Sequence, residues 1–146
     1  MRAPVSVVIP TLNAEEALGT CLACLYEGVQ AGLIRELIVV DGGSNDGTVH
    51  LAREAGATVI ETTPSRGHQL QIGCAQAQGD WLLVLHADSL LDEDWSVAIQ
   101  AHLHSSNAGY FKLKFEGGGV MASIVAGWAN LRARLFGLPF GDQGML

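Results

Sequence analysis

"LIVVDGGSNDGT", residues 37–48, places four apolar residues directly before an acid and then adds a glycine-rich turn that holds a second acid. The apolar run predicts a buried strand, and Asp, Asn, Gly and Ser are favoured in the turn that follows it. Asp46 is suited to capping the next helix. Asp41 falls at the carboxyl end of the strand, where open α/β sheets bind ligands, so we expect its carboxylate to face an open pocket with few packing contacts.

Outward from this stretch, short apolar runs alternate with helical patterns along most of the chain. The predicted strands are Val5–Ile9, Leu37–Asp41, Ala57–Glu61 and Trp81–Asp88. The predicted helices are Asn13–Gly28, Asp46–Ala55, His68–Gln78 and Asp92–His104. In the first helix, Asn13 with Glu16 three residues later predicts a capping box. Strands that alternate with helices predict an α/β fold with a mostly parallel central sheet and helices on both faces.

The C-terminal part of the sequence follows a different pattern. Gly109–Glu116 alternates apolar residues with lysines, as in a half-exposed strand, and Val120–Phe136 predicts a helix. The final residues, GLPFGDQGML, have the composition of a loop. Because the sequence shows neither an internal repeat nor a linker, we interpret residues 1–146 as a single domain that is cut short at its C-terminal end.

Composition and charge exclude one class of partner. A chain of 146 residues with 49% hydrophobic and 16% charged residues is a globular sequence that can bury a core. The net charge of -7 and the lack of a Lys/Arg cluster argue against a nucleic-acid-binding surface. An anionic ligand would therefore need a local source of positive charge.

The sequence predicts a cytoplasmic protein. The N-terminal MRAPVSVVIP is broken by proline too early for a signal peptide, and Val120–Leu131 is shorter than the roughly 20 residues of a membrane span. Followed by Arg132 and Arg134, the same stretch also fits a helix lying on a membrane surface, so peripheral membrane contact stays open.

The three cysteines, Cys21, Cys24 and Cys74, form no disulfide framework. Cys21 and Cys24 have the C-x-x-C spacing of a redox pair, but they lie about two turns inside a predicted helix and are interleaved with leucines. We therefore interpret them as small core residues.

The acids at the strand ends point to a nucleotide held through a metal. The dinucleotide fingerprint G-x-G-x-x-G is absent, since PTLNAEE after the first strand contains no glycine, and there is no P-loop. His86 and Asp88 stand two residues apart in a predicted strand, so their side chains would share a face and reach one divalent cation. Such a cation bridges phosphate oxygens. The alternative is that Asp88 only begins a turn.

Four segments, in order, resemble the family 2 glycosyltransferases, which have the GT-A fold. They are VVIPTLNAEEAL, LIVVDGGSNDGT, RGHQLQIGCAQAQGDWLLVLHAD and FGDQG. The sequence is most similar to the small bacterial branch that carries His-Ala-Asp in place of Asp-x-Asp. The resemblance covers nearly the whole chain. It implies an enzyme that transfers a sugar, with inversion, from a nucleoside-diphosphate sugar to an acceptor hydroxyl.

The resemblance also implies roles for individual residues and a divalent cation, Mn²⁺ or Mg²⁺. The positions that would bind the donor nucleotide are Pro10, Thr11, Asn13, Glu15, Asp41, Arg66 and Gln69. Within this set, Asp41 would hydrogen-bond the base or ribose, and Gln69 would support the loop. Asp88, with His86, would hold the metal, and Asp142 would be the base that activates the acceptor.

Two departures from the family pattern and two alternative functions accompany this interpretation. His86 replaces the first acid of Asp-x-Asp, and Gln71 stands where the family often has Asn. A nucleotidyltransferase of related fold would need a glycine-rich, basic loop after the first strand, which PTLNAEE does not supply. A non-catalytic member would keep the fold for nucleotide binding or assembly. The donor sugar, the base, the acceptor and the oligomeric state stay open.

Overall fold

The computed structural model describes residues 2–105, 107–109, 111, 124, 126–127, 130–131 and 145–146. Strands and helices alternate along it, as the sequence predicts. The strands are β1 (Val5–Thr11), β2 (Ile34–Asp41), β3 (Thr58–Glu61) and β4 (Trp81–Val84). The helices are α1 (Glu15–Gln30), α2 (Thr48–Glu54), α3 (Arg66–Gln76) and α4 (Trp95–His102).

The four strands form a parallel sheet in the order β3-β2-β1-β4. In this order β1 is flanked by β2 and β4. The register pairs Thr11 with Asp41 and Val8 with Val84. The carboxyl ends of β1 and β2 are therefore level with each other, and the segment after β4 lies beside them at the same edge of the sheet.

The hydrophobic core covers both faces of the sheet, because side chains along a strand point alternately to the two faces. On one face, Val7, Ile9 and Val39 pack in a cluster with residues from α1, α2 and α4. On the other face, Val8, Ile38 and Val40 pack against residues of α3. Because both faces of the sheet are covered, successive side chains of a strand are buried. This explains why the strands appear in the sequence as unbroken apolar runs.

Some element boundaries differ from the predictions. β4 ends at Val84 and not at Asp88: the backbone of Leu85 still donates to the carbonyl of Val8 (3.1 Å), but Ala87 and Asp88 form a turn. The prediction that His86 and Asp88 share one face of a strand is therefore wrong. α2 begins at Thr48, two residues after the predicted start.

The end of the chain was predicted as a loop; of its two described residues, Leu146 has no regular secondary structure and Met145 differs in forming an isolated bridge. The backbone of Met145 exchanges two hydrogen bonds with Val84 at the edge of β4, in an antiparallel bridge (2.8 and 3.0 Å). Leu146 exchanges two more with Gly109 (both 3.0 Å) and packs against the core.

Most of the remaining C-terminal predictions fall outside the described residues. Of the helix predicted over Val120–Phe136, the described residues are helical. The predicted strand Gly109–Glu116 is described only at two positions, and Arg132 and Arg134 are outside the described residues. Across the part that is described, no helix combines the length and the apolar character needed to cross a membrane.

Candidate functional site

The ends of β1 and β2 form the first part of the candidate site. Gln69, in the first turn of α3, is 5% exposed, and its Nε2 donates to the carbonyls of Thr11 (2.9 Å) and Val40 (2.8 Å). Pro10 precedes Thr11 in β1 and is in register with Val40. One buried amide thus joins both strand ends to α3. Contact of Gln69 with a nucleotide stays a prediction.

The carboxylate of Asp41 is enclosed by the protein. The residue is 1% exposed, and Oδ1 accepts hydrogen bonds from the hydroxyls of Thr11 (2.8 Å) and Ser44 (2.5 Å). Oδ2 accepts from the backbone N–H groups of Gly43 (2.9 Å) and Ser44 (2.7 Å). The expectation of an open carboxylate with few packing contacts is therefore wrong, because its oxygens anchor the turn that follows the strand.

The charge of Asp41 is stabilised by these donors. Burial by itself raises the pKa of the Asp41 carboxyl, because the charged form loses hydration. The hydrogen bonds from Ser44, Thr11 and Gly43 act in the opposite direction and outweigh it, so the pKa lies below its usual range. Asp41 is a buried anion that the fold itself satisfies.

Two glycines allow the chain to turn around this carboxylate. Gly43 has φ +94°, a left-handed conformation that a residue with a Cβ rarely adopts. At Gly42, a Cβ would lie 3.1 Å from Cα of Pro64 and 3.2 Å from the side-chain amide of Gln69. A side chain at position 42 would therefore press on the amide that joins the strand ends.

The β1–α1 loop (residues 12–14) is bonded directly to the β2–α2 loop (residues 42–47). The backbone N–H of Asn13 donates to Ser44 Oγ (2.8 Å), and Asn13 Oδ1 accepts from the N–H of Asn45 (2.8 Å). Asn13 itself has φ +47°, in the left-handed region that Asn tolerates better than most residues. Its side chain is thus engaged with the neighbouring loop.

The predicted capping box of α1 is wrong, since the cap residue is Ala14 and no side chain of the box bonds the first turn. The N-terminal N–H groups are satisfied by the neighbouring helix start. Thr48 Oγ1 accepts from the N–H of Ala14 (2.9 Å), and Asp46 Oδ2 accepts from that of Glu15 (3.2 Å). In return, Glu15 Oε2 accepts from the N–H of Gly47 (2.9 Å).

The prediction that Asp46 caps α2 is wrong in position, since the cap residue is Gly47 and has no side-chain cap bond; Asp46, one residue before the cap, bonds the first helical residue instead. Its Oδ1 accepts from the backbone N–H (3.0 Å) and the hydroxyl of Thr48. The hydroxyl of Thr48 lowers the pKa of Asp46 most, and the bond from Glu15 lowers it further. Ser44 and Thr48 were missed as site residues. The stretch SNDGT carried the signal, because hydroxyl residues near a turn acid commonly bond it.

The second part of the site lies beyond the end of β4. The guanidinium of Arg66, the first residue of α3, contacts the ring of His86: Nη2 lies 2.8 Å from Nδ1 and also contacts Nε2. Arg66 is exposed and His86 is half-buried. Asp88, two residues further on, is exposed. The structure therefore brings Arg66 and His86 together, at the same end of the sheet as Asp41.

The turn that carries His86 is held by its neighbours. The N–H of His86 donates to Ser89 Oγ (3.0 Å), and the N–H of Ser89 donates to the carbonyl of His86 (3.1 Å). Cys21 of α1 donates its thiol proton to the same carbonyl (3.5 Å). Burial, with smaller contributions from Cys24 and Asp88, raises the pKa of Cys21 to about 12. Cys21 lies in the hydrophobic core, which confirms its interpretation as a core residue, whereas Cys24 is half-buried.

The carboxylate of Asp88 is suited to a divalent cation whose other ligands come from a bound phosphate and from water. Within residues 2–105 and the shorter described segments, no three His, Cys, Asp or Glu side chains are grouped closely enough to form a metal site. A hard cation such as Mg²⁺ is usually bound through one or two carboxylates, with water and substrate phosphates as its other ligands. The carboxylate of Asp88, exposed in the turn after β4, has the chemistry of such a ligand.

Two predicted residues cannot be placed. Asp142, the predicted base, and the FGDQG segment around it lie outside the described residues. Trp128, a candidate for stacking on an acceptor sugar, also lies outside them.

Comparison with known proteins assigns this arrangement to a family. The model of "Glycosyl transferase family 2" matches residues 6–121, which include the ends of all four strands and the start of α3. The chain belongs to this family. The match confirms the predicted family; the FGDQG segment lies beyond the matched residues.

Among curated proteins, the chain is similar to two mycobacterial enzymes. Glucosyl-3-phosphoglycerate synthase of Mycolicibacterium smegmatis is 36% identical over 99 residues, and the PGL/p-HBAD biosynthesis glycosyltransferase of Mycobacterium tuberculosis is 36% identical over 101 residues. The matched stretches cover 62% and 64% of this chain, but only 32% and 39% of those proteins. The chain thus spans well under half of each relative.

Among solved structures, glucosyl-3-phosphoglycerate synthase from M. tuberculosis in complex with phosphoglyceric acid is similar, with a TM-score of 0.65 and 28% identity. The similarity covers 92% of this chain and 51% of that one. The same synthase with Mn²⁺, uridine diphosphate (UDP) and glucosyl-3-phosphoglycerate has a TM-score of 0.69 at 24% identity, over 97% and 56% of the two chains. These structures confirm the predicted α/β, GT-A fold.

Proposed function

We propose that this chain carries the donor site of an inverting glycosyltransferase, which moves a sugar from a nucleoside-diphosphate sugar to an acceptor hydroxyl with the help of a divalent cation. The observation that carries the proposal is the placement of Arg66 and His86 in contact, with the exposed Asp88 two residues on, beside the ends of β1 and β2. A guanidinium and a cation-binding carboxylate are the groups that an acidic protein needs to hold a diphosphate.

For the nucleotide, we propose UDP as the first ligand to test, because a structural relative of the same fold binds UDP with Mn²⁺. Pro10, Thr11, Asn13, Glu15 and Asp41 frame the nucleoside pocket. Since the Asp41 carboxylate accepts four hydrogen bonds from the protein, it acts on the nucleoside through the β2–α2 loop that it anchors. A direct bond from Asp41 to the base would have to compete with Ser44.

For the metal, we propose Asp88 as the protein ligand, as the His-Ala-Asp branch of the family would place it. A bound Mn²⁺ or Mg²⁺ stabilises the negative charge that develops on the leaving diphosphate. Asp88 would contribute one carboxylate from an exposed position, which leaves room for phosphate oxygens and water as the other ligands.

For the base, we propose Asp142, which would take the proton of the acceptor hydroxyl as that oxygen attacks the anomeric carbon. One base and direct displacement, without an enzyme nucleophile, predict inversion. This role is supported by the resemblance of the FGDQG segment, which contains Asp142, to the family.

The proposal is tested by measuring UDP release from UDP-sugars with and without Mn²⁺, in the full-length protein. Asp142→Asn is expected to lower turnover by about 10²–10⁴-fold, the usual contribution of a general base, with UDP affinity unchanged. Asp88→Asn is expected to remove the dependence of UDP affinity on Mn²⁺ without lowering the melting temperature.

Other outcomes point to the alternatives. Binding of UDP without turnover of any UDP-sugar would favour a non-catalytic member of the family. Release of pyrophosphate from UTP with a sugar phosphate, in place of UDP release, would favour a nucleotidyltransferase. Normal turnover in Asp142→Asn would remove that residue from the mechanism.

A further inference from the structure

Gln69 is a buried polar residue to which the proposed function assigns no role. It lies in the first turn of α3, three residues after Arg66, and its amide reaches the ends of both β1 and β2. We propose that Gln69 is a positioning residue, which holds the start of α3 against the two strand ends so that the nucleoside and the diphosphate of one donor molecule bind together. This inference rests on the proposed function, in which the ends of β1 and β2 frame the nucleoside and Arg66 helps to hold the diphosphate.

The partners of Gln69 fix the orientation of its amide. Nε2 lies 2.9 Å from the carbonyl oxygen of Thr11 and 2.8 Å from that of Val40. A carbonyl only accepts, so both contacts require N–H groups, and an amide turned the other way would set three oxygens against one another. Both hydrogens of the amide are therefore committed to the protein. A direct contact of this side chain with a nucleotide would have to use Oε1 alone.

The close approach of α3 to the sheet makes these hydrogen bonds possible. Gln69 and Gly73 are the buried residues of α3, and their spacing of four places them on the same face of the helix. A Cβ at Gly73 would lie 2.5 Å from Cγ1 of Val8 and 3.0 Å from Cγ2 of Val40, so a larger residue would push the helix away from the sheet. Residues 63–68 are all exposed. The amide of Gln69 is thus the buried contact of α3 that lies nearest to its N-terminal end.

On the sheet side, the amide bonds a residue that also holds the β2–α2 loop. The carbonyl of Thr11 accepts from Gln69 and from the N–H of Gly42 (2.8 Å), and the hydroxyl of Thr11 donates to Asp41 (2.8 Å). Gln69 is 5% exposed, so water competes little for its hydrogen bonds. Thr11 therefore connects α3 to the loop that Asp41 anchors.

This connection matters because the donor is one molecule with two parts. Two sites bind linked groups with a high effective concentration only while the sites keep the spacing that the linker spans. Without the hydrogen bonds of Gln69, the start of α3 would lose its fixed place relative to the strand ends. The nucleoside and the diphosphate would each keep their own contacts, but one molecule would no longer make both sets at full strength.

The experiment compares the full-length wild-type protein with Gln69→Met, which keeps most of the side-chain volume and loses both donors. Calorimetry with Mg²⁺ measures the affinity for UDP, and displacement of UDP measures the affinities for uridine and for inorganic pyrophosphate. We expect UDP binding to weaken by about 10-fold, while the affinity for each fragment changes by less than about 2-fold.

The matched control is Ser6→Ala, near the opposite end of β1. The hydroxyl of Ser6 is fully buried, donates to Glu36 Oε1 (2.6 Å) and accepts from the N–H of Gly79 (2.8 Å). This variant also loses two buried hydrogen bonds, so it is expected to lower the melting temperature as Gln69→Met does. Its affinity for UDP should equal that of the wild type.

Contrary results are distinct. A loss of affinity for uridine or pyrophosphate as large as the loss for UDP would show that Gln69 contacts the nucleotide, and it would overturn the inference. Unchanged UDP affinity in Gln69→Met, or an equal loss in Ser6→Ala, would also overturn it, since the hydrogen bonds of Gln69 would then serve stability alone. Should Gln69→Met not fold, Gln69→Ala, which leaves space for water at the two carbonyls, is subject to the same comparison. A wild-type protein that binds no nucleoside diphosphate would overturn the proposed function itself.

Discussion

Two acids follow buried strands in this chain, and the structure uses them in opposite ways. Asp41 is 1% exposed and accepts four hydrogen bonds from Thr11, Gly43 and Ser44. Asp88 lies in the turn that follows β4 and is exposed. The same sequence pattern, an apolar run that ends in Asp, thus gives an internal anchor in one case and a group accessible to a ligand in the other.

The contrast extends to the loops on each side. On the β1–β2 side, the two loops satisfy each other's backbone and side-chain groups through Asn13, Glu15, Ser44, Asp46 and Thr48. On the β4 side, the contact of Arg66 with His86 lies at the surface. Under the proposed function, the first side would shape the nucleoside pocket and the second would bind the charged part of the donor.

The largest expected effect is the difference between the two acids in their contribution to the free energy of unfolding. Asp41→Ala leaves donors at Thr11, Gly43 and Ser44 without their acceptor, so we expect the free energy of unfolding to fall by about 2–4 kcal/mol. Asp88→Ala, the matched control at an exposed acid in the turn after β4, should change it by less than about 0.5 kcal/mol. Urea denaturation of both variants at pH 7 measures the difference. Equal losses of unfolding free energy in the two variants would contradict the contrast between Asp41 and Asp88.

The sequence was sufficient to predict the strands, the helices and the parallel sheet, because these depend on local apolar periodicity. It was insufficient for Asp41, because whether an acid is open or enclosed depends on partners from other segments, such as Thr11, which is 30 positions away. The same holds for α1, whose predicted local cap was displaced by Asp46 and Thr48 from the neighbouring loop.

The β4 side shows a second limit of prediction from the sequence. The prediction that His86 and Asp88 share a face assumed a strand through Asp88, but β4 stops at Val84 and its edge is bridged by Met145. A pairing between residues 61 positions apart leaves no trace in local periodicity. The contact of Arg66 with His86, across 20 positions, was likewise invisible, although both residues were predicted as site residues.

A smaller effect tests whether the two loops of the β1–β2 side act as one unit. Thr48 is fully buried, and its hydroxyl accepts from the N–H of Ala14 and donates to Asp46. Thr48→Val keeps the volume but removes both bonds, so we expect a loss of about 1–3 kcal/mol in the free energy of unfolding. Thr48→Ser keeps both bonds and loses one methyl group, for about 0.8 kcal/mol. A serine variant less stable than the valine variant would show that packing, and not the bridge between loops, matters at this position.

The smallest expected effect is the dependence of stability on pH, again centred on Asp41. Its pKa in the folded protein lies below the ordinary value of 3.8, because the hydrogen bonds from Ser44, Thr11 and Gly43 outweigh the opposing effect of burial. The folded state therefore binds this proton less readily than the unfolded state does. The stabilisation is complete above the unfolded pKa and is lost as the pH falls through the lower, folded pKa.

We accordingly expect the free energy of unfolding of the wild-type protein to decrease as the pH is lowered below about 5, towards and through the folded pKa of Asp41. Asp41→Asn cannot take up this proton, so its decrease over the same range should be shallower. Ser44→Ala, which removes one donor, should lie between the two. Asp46 also has a lowered pKa, so part of the decrease should remain in the Asp41 variant. Urea titrations at several pH values measure these slopes. Identical slopes in the wild type and Asp41→Asn would show that the buried anion of the β1–β2 side does not contribute to acid sensitivity, and the contrast with the β4 side would then rest on hydrogen bonding alone.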